Sequence, residues 1–171
     1  MNACTKKPKL RTYITLKHKL KFENYLTHDN ARARQVMTRL RGGTNELRIE
    51  QGRYPNTNRD RGLETFERRC LLCMSEEIED EKHFVLDCVV YEDLRRKMFE
   101  VVKEEMLTKK EKIEELLNSE VGRQRIFQGL LGDGEAGSEG KAALRCAALE
   151  FCRQAMKRRQ GIVVTLLDQR T

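Results

Sequence analysis

Apolar residues recur at steps of three and four along much of this chain, the spacing that places side chains on one face of an α-helix. Between residues 9 and 26, Leu10, Tyr13 and Leu16 follow these steps. The opposite face of this segment is rich in lysine. The pattern therefore predicts one continuous amphipathic helix over residues 9–26.

A second helix is predicted over residues 31–41, where an apolar stripe alternates with arginines. Asp29 or Asn30 would cap its start, and the pair of glycines beginning at Gly42 would end it. The following segment, residues 45–62, alternates briefly and contains a proline. We expect a short strand or extended piece there, leading into a polar loop.

The second half of the chain also has helical periodicity. We expect a short helical turn over residues 83–88, with Phe84, Val85 and Leu86 as packing residues. Further helices are predicted over residues 89–106, 111–118, 121–132 and 141–160. The last helix has a stripe of Leu144, Ala148, Cys152 and Met156, and it either continues through Gly161 or breaks there.

These elements predict a mainly α fold: a small helical domain organised around a cysteine–histidine element, with a helical C-terminal extension. The composition agrees, since aromatic residues make up only 6% of the 171 residues and charged residues 36%. We divide the chain into a basic helical arm (1–69), the cysteine–histidine element with its following helix (70–106), a helical segment (107–131), a Gly-rich linker (132–140) and a C-terminal helix (141–171).

Four residues carry candidate metal chemistry: Cys70, Cys73, His83 and Cys88, in the pattern C-x2-C-x9-H-x4-C. Three thiols and one imidazole are a common tetrahedral ligand set for structural Zn²⁺. All four positions come from protein, which leaves none for water or substrate, so we expect no enzyme. Buried thiols are the plain alternative, and thiol redox chemistry at the C-x2-C pair is disfavoured because no βαβ pattern surrounds it.

The charge of the chain is unevenly distributed. Residues 1–69 contain 17 Lys and Arg against 7 Asp and Glu, whereas residues 70–120 contain 8 against 15. A basic segment of this kind favours a polyanionic partner, most often nucleic acid, although a solvated surface is the alternative. The acidic loop at residues 76–81 would repel phosphates, so we assign phosphate contacts to the arm. The candidate residues are Lys17, Lys19, Lys21, Arg32, Arg34, Arg39 and Arg41.

Neither a secretory signal nor an apolar run of about 18 residues is present in the sequence, so we expect no membrane segment. Six cysteines without a secretory signal favour a reducing compartment. We therefore expect an intracellular protein, either nuclear or cytoplasmic.

The string RCLLC…EDEKHFVLDCVVYEDLR, preceded by KLRTYITLK and LRGGTNELRIEQGRY, resembles the C-terminal zinc-binding region of non-LTR (LINE-like) retrotransposon reverse transcriptases. The similarity extends from about Leu10 to Phe99. It implies a structural zinc site in a protein that handles transposon RNA and target DNA. Two features depart from that family: the chain has no polymerase or endonuclease catalytic motif, and Val89 stands where proline is frequent.

The sequence thus predicts a non-catalytic, zinc-stabilised module that binds RNA, or single-stranded or target DNA. The alternative is a protein-interaction module that uses the acidic segment 74–120 and the C-terminal amphipathic helix. Salt-dependent binding to random-sequence nucleic acid would separate the two.

Overall fold

The computed structural model describes residues 10–17, 22–55, 62–106, 112–132 and 140–168. Regular structure in these ranges is helical, and the one strand-type pairing among them is an isolated antiparallel bridge between Arg69 and Ile78. The described chain forms seven α-helices: α1 (Arg11–Leu16), α2 (Ala31–Gly42), α3 (Arg48–Gln51), α4 (Glu92–Met106), α5 (Ile113–Leu117), α6 (Glu120–Leu131) and α7 (Gly140–Asp168). The predicted mainly α class is confirmed.

Helix α2 forms where its pattern predicts, and of the two candidate caps Asn30 is the one used. Its side-chain oxygen accepts a hydrogen bond from the backbone N–H of Ala33 at 3.0 Å. Gly43 ends the helix with a φ of 64°, in the left-handed region where glycine carries no steric penalty. The apolar face, which includes Val36 and Leu40, is buried.

The predicted continuous helix over residues 9–26 is wrong. Helix α1 ends at Leu16, and Lys17 is extended, with φ −132° and ψ 119°. Beyond residues 18–21, which lie outside the described ranges, a 3-10 turn covers Asn24–Thr27. This turn buries Tyr25, whose hydroxyl is 3.1 Å from Thr38 Oγ1 on α2, so tertiary packing has overridden the helical period.

The predicted short strand or extended piece in residues 45–62 is also wrong, because the described chain there forms the helical turn α3 instead. Residues 56–61 of the predicted polar loop lie outside the described ranges. Asn45 accepts a hydrogen bond from the N–H of Leu47 at 3.0 Å, which forms an Asx turn just before the helix. The next N–H, that of Arg48, donates to the carboxylate of Glu79 at 2.8 Å. The turn therefore starts on a group 31 residues away, which the local alternation could not indicate.

The long helix α7 forms one wall of the core, with α2 and α4 packed against it. Its predicted stripe is buried, and the helix continues through Gly161 to Asp168. The predicted linker falls mostly outside the described ranges. None of the described helices is long and apolar enough to cross a lipid bilayer.

Two short turns connect the cysteine–histidine segment to this core: a π-helical turn at His83–Asp87 and a 3-10 turn at Val89–Tyr91 that leads into α4. Phe84, in the first turn, packs edge-on against Tyr91 with ring centroids 5.1 Å apart. The ring of Phe84 also lies 5.9 Å from that of Phe151 on α7. The candidate metal ligands are thus carried on a segment that is part of the core.

Candidate metal centre

The four predicted ligands converge. One ligand atom each from Cys70, Cys73, His83 and Cys88 lies within 4.8 Å of every other. The sulfurs of Cys70 and Cys88 are 4.0 Å apart, and the Cys73 sulfur lies 3.3 Å from Nε2 of His83. In a tetrahedral site, each ligand lies about 2.0–2.3 Å from the ion. The separations between such ligands are close to the ligand–ligand distances observed here, so this group could hold a metal ion.

Residues 70–73 form the first half of the site. The N–H of Cys70 donates to the carbonyl of Glu77 at 2.9 Å, beside the Arg69–Ile78 bridge. This pairing folds the acidic loop back over the C-x2-C pair. Leu72, between the two cysteines, is partly buried and packs against the core.

The second half is the π-helical turn. The N–H of Cys88 donates to the carbonyl of His83 at 2.9 Å, five residues back. In an α-helix, residues five apart face directions about 140° apart, and the wider π turn reduces that separation. The start of the turn is held by Asp80, whose carboxylate accepts the N–H of His83 at 2.8 Å. The predicted packing residues Phe84, Val85 and Leu86 are all buried.

Polar neighbours orient these ligands. A carboxylate oxygen of Glu77 lies 2.9 Å from Nδ1 of His83, which leaves Nε2 directed at the sulfurs. A carboxylate behind the imidazole is the usual support of a histidine ligand. On the other side, Arg95 donates to the carbonyl of Cys88 at 2.7 Å and to that of Val85 at 2.8 Å. The backbone that carries Cys88 is therefore anchored to α4.

Hydrogen bonds within the group shift the pKa values of its thiols and its imidazole. A hydrogen bond from the Cys88 thiol, with help from His83, lowers the pKa of Cys70 to about 3, while the same bond raises the pKa of Cys88. Burial disfavours a charged His83, but its hydrogen bonds to Cys70 and Glu77 outweigh burial and raise its pKa to about 10. Metal binding requires thiolates and a neutral imidazole, so an ion at this site would displace the proton of His83 and the remaining thiol protons.

The acidic loop is not a free anionic surface. Glu79 and Glu81 are buried, at 2% and 3% exposure. Glu79 pairs with Arg159, and Glu81 pairs with Arg11 at 2.7 Å. Sequence reasoning missed these pairs. The opposite charges of the arm and the acidic segment were a signal for the Arg11–Glu81 pair, because oppositely charged segments of one chain can neutralise each other; Arg159 lies in the C-terminal helix, to which that signal does not extend.

Two of the predicted phosphate-binding residues are buried inside the fold. The side chains of Lys17 and Arg41 are only 4% and 3% exposed, and both pair with Glu23. Burial and pairing with Glu23 argue against phosphate contacts at these two positions. Lys19 and Lys21 lie outside the described residues.

The four arginines of the predicted basic face of α2 divide between two sides of the helix. Each residue turns an α-helix by about 100°, so Arg34 and Arg41 lie on the side opposite Arg32 and Arg39. Arg34 donates to backbone carbonyls of the preceding turn, including that of Asp29 at 3.2 Å. The side chain of Arg39 is 43% exposed, and Arg32 is also exposed. Two arginines, not four, therefore share an accessible face.

These observations define a mainly helical protein with a Cys3His group that could hold a metal ion. The chain matches no family of known proteins, no curated protein and no solved structure. The likeness to retrotransposon reverse transcriptases stays a prediction.

Proposed function

We propose that this chain is a non-catalytic nucleic-acid-binding module whose fold is stabilised by one Zn²⁺ ion bound to Cys70, Cys73, His83 and Cys88. The observation that carries the proposal is the convergence of these four ligand atoms within 4.8 Å. Thiolates and imidazole suit Zn²⁺ better than Mg²⁺ or Ca²⁺, which prefer oxygen. Four protein ligands complete a tetrahedron, so the ion has a structural role.

The role of the ion follows from what the ligand-bearing segment holds. Glu79 and Glu81 lie between the C-x2-C pair and His83, and their carboxylates bind α7 and α1 through Arg159 and Arg11. The metal ligands stand on both sides of this loop in the sequence. One ion bound to all of them would therefore fix the two carboxylates in place. Metal binding would therefore contribute to the packing of helices that do not touch the ion.

The nucleic-acid part of the proposal is supported by charge. The chain has a net charge of +7. Arg32 and Arg39 share an accessible side of α2, where Arg39 also approaches Glu46 at 3.8 Å and Arg32 approaches Gln160 of α7 at 3.5 Å. Lys157, one helical turn before Gln160, is exposed. We call Arg32, Arg39 and Lys157 the basic face. The resemblance to retrotransposon proteins adds RNA and target DNA as the expected partners.

The alternative is a protein-interaction module in which the C-terminal amphipathic helix and the acidic segment 74–120 bind a partner. The apolar stripe of that helix does not support it, because Leu144, Ala148 and Cys152 are buried within this chain. The acidic segment does not supply the missing surface through Glu79 and Glu81, which are paired internally.

The test is salt-dependent binding to a random-sequence single-stranded RNA, measured by fluorescence anisotropy. Replacing Arg32, Arg39 and Lys157 with Gln should weaken binding and lower the magnitude of the salt slope by about 0.7 for each lost phosphate contact. The matched control replaces three exposed cations of α4, Arg96, Lys97 and Lys103, with Gln. An equal loss in both variants, or no binding by the wild type at low salt, would contradict the proposal.

A further inference from the structure

Three arginine side chains are buried in the described chain: those of Arg41, Arg95 and Arg159. The first pairs with the carboxylate of Glu23 and the third with that of Glu79. Arg95 is 6% exposed, and both of its hydrogen bonds go to backbone carbonyls, with no described carboxylate in an ion pair with it. A buried charge is normally paired, because an isolated one loses its hydration without compensation. The surroundings of Arg95 must therefore supply an anion of another kind.

The guanidinium of Arg95 lies against the turn that carries the last metal ligand. It donates to the carbonyl of Cys88 at 2.7 Å and to that of Val85 at 2.8 Å. Arg95 is the fourth residue of α4, where the helix dipole disfavours a cation, so the helix does not explain its position. The hydroxyl of Tyr91 is no counter-ion either, because burial raises the pKa of this phenol and keeps it neutral.

The two carboxylates that act most strongly on this guanidinium are each paired with another arginine. Burial lowers the pKa of the guanidinium, and the negative charges that oppose this effect include those of Asp87 and Cys88. Asp87 binds Arg123 at 2.6 Å. Glu92 binds Arg96 at 3.2 Å, and its side chain is 65% exposed. The sulfur of Cys88, once it binds a metal ion as a thiolate, is therefore the neighbour whose charge is not already paired with an arginine.

A bound Zn²⁺ ion would leave the centre with a net negative charge. Three thiolates carry one negative charge more than the ion neutralises, and the imidazole of His83 is neutral when it binds. The N–H of Val90 offsets part of the charge at the Cys88 sulfur by donating a hydrogen bond to it. Water screens the rest poorly, because Cys70 and Cys88 are only 3% and 1% exposed. The loaded centre thus requires a nearby cation.

We propose that Arg95 is the counter-ion of the metal centre, and that its positive charge raises the affinity of the three thiolates and His83 for Zn²⁺. The inference rests on the zinc site of the proposed function. Arg95 touches the backbone of a ligand and not the ion, so it supports the site from outside. Partners of this kind typically change metal affinity by about 10–100-fold. The competing explanation is a structural role, in which Arg95 only caps the carbonyls of the π-helical turn.

The test measures the zinc affinity of the full chain by competition with a chromophoric chelator, in variants that separate charge from hydrogen bonding. Arg95→Gln keeps amide donors but loses the charge, and it should bind Zn²⁺ about 10–100-fold more weakly. Arg95→Lys keeps the charge but loses the forked donor geometry, and it should retain most of the affinity. The matched control, Arg96→Gln, removes an exposed charge from the next residue of α4 and should change little. Wild-type affinity in Arg95→Gln, or equal losses in Arg95→Gln and Arg95→Lys, would overturn the proposal.

Thermal melts of the zinc-free and zinc-loaded forms give a second readout. Arg95→Gln should lower the melting temperature of the loaded form more than that of the zinc-free form, because the thiols regain protons when the ion leaves. Equal losses in both forms, or a variant that folds in neither, would assign Arg95 a structural role and overturn the proposal. A wild type that takes up no zinc would remove the proposed metal centre as well. Zinc uptake by the wild type with unchanged affinity in Arg95→Gln would overturn this inference alone.

Discussion

Arg159 and Glu79 form a buried bidentate salt bridge between the long helix α7 and the acidic loop. The Arg159 Nε and Nη2 atoms lie 2.8 and 2.9 Å from the two carboxylate oxygens of Glu79. The flanking residues of α7 bind other elements: Arg158 pairs with Asp93 of α4, and Gln160 donates to Glu46. This stretch of α7 therefore fastens the loop between the metal ligands to the rest of the fold.

Breaking this bridge should be costly. Glu79→Ala leaves the guanidinium of Arg159 buried without its partner, and loss of one member of a buried pair costs about 3–5 kcal/mol of unfolding free energy. Chemical denaturation followed by circular dichroism measures the loss. The matched control is Asp93→Ala, which removes the exposed partner of Arg158 and should have a much smaller effect.

Replacing both members of the Glu79–Arg159 bridge separates the cost of an unpaired buried charge from the cost of lost packing. Glu79→Leu combined with Arg159→Met removes both charges, so much of the stability lost in Glu79→Ala should return. If Glu79→Ala proves no worse than Asp93→Ala, the buried bridge does not hold the loop as described.

Two helical glycines should respond in opposite directions to alanine. A Cβ at Gly122 would lie 2.3 Å from the carbonyl oxygen of Leu116 and 2.7 Å from its Cα. Gly122→Ala should thus lose about 1–3 kcal/mol or more. A Cβ at Gly161 would meet no atom of the described chain within 4 Å, and Gly161→Ala should gain about 0.5–1 kcal/mol because alanine favours the helix. Thermal melts of both variants test this, and equal shifts would argue against the close packing of α5 and α6.

The cap of α2 should be detectable by mutation. Asn30→Ala removes the acceptor for the Ala33 N–H and should cost about 1 kcal/mol of unfolding free energy. Asn30→Asp keeps an acceptor and places a negative charge at the helix start, so its stability should match the wild type or exceed it. Urea denaturation compares the two, and an Asn30→Asp variant as unstable as Asn30→Ala would speak against the cap.

Met74 has a φ of 55°, in the left-handed region, and the strain there makes a further prediction. Met74→Gly relieves the positive φ, while Met74→Val places a β-branched residue in a conformation that such residues avoid. We expect Met74→Val to be less stable than Met74→Gly by about 1–2 kcal/mol. Differential scanning calorimetry of the zinc-loaded variants measures this difference. Equal stability would mean that the turn after Cys73 is not held in the left-handed region.

The sequence predicted those features whose determining interactions lie within a short stretch of chain. Helix α2 is specified by its own cap and closing glycine, and the Cys3His group is specified by ligand type and spacing, so both were predicted. The 3-10 turn that holds Tyr25 and the turn α3 depend on contacts with residues distant in sequence, Thr38 and Glu79 respectively. The spacing of apolar residues within a segment does not indicate which distant residues that segment will contact.

Charge runs were the least informative feature. The sequence places Arg39 and Arg41 in one basic cluster, but the helix turns the first outward and the second inward onto Glu23. Likewise, Glu76 is exposed in the acidic loop and Glu79 is buried. Burial is decided by which side of an element packs on the core, so net charge alone overstated the surface available to a polyanion.

Metal content tests the central claim most directly. The wild-type protein and two variants, Cys73→Ser and Cys146→Ser, are purified in parallel and analysed by inductively coupled plasma mass spectrometry. Cys146 is an exposed thiol on α7, away from the metal group, which makes it the matched control. We expect about one Zn²⁺ per chain in the wild type and in Cys146→Ser, and a large loss in Cys73→Ser because a tetrahedral site then lacks one thiolate. A wild-type protein without zinc even after refolding in its presence, or equal zinc in both variants, would contradict the account.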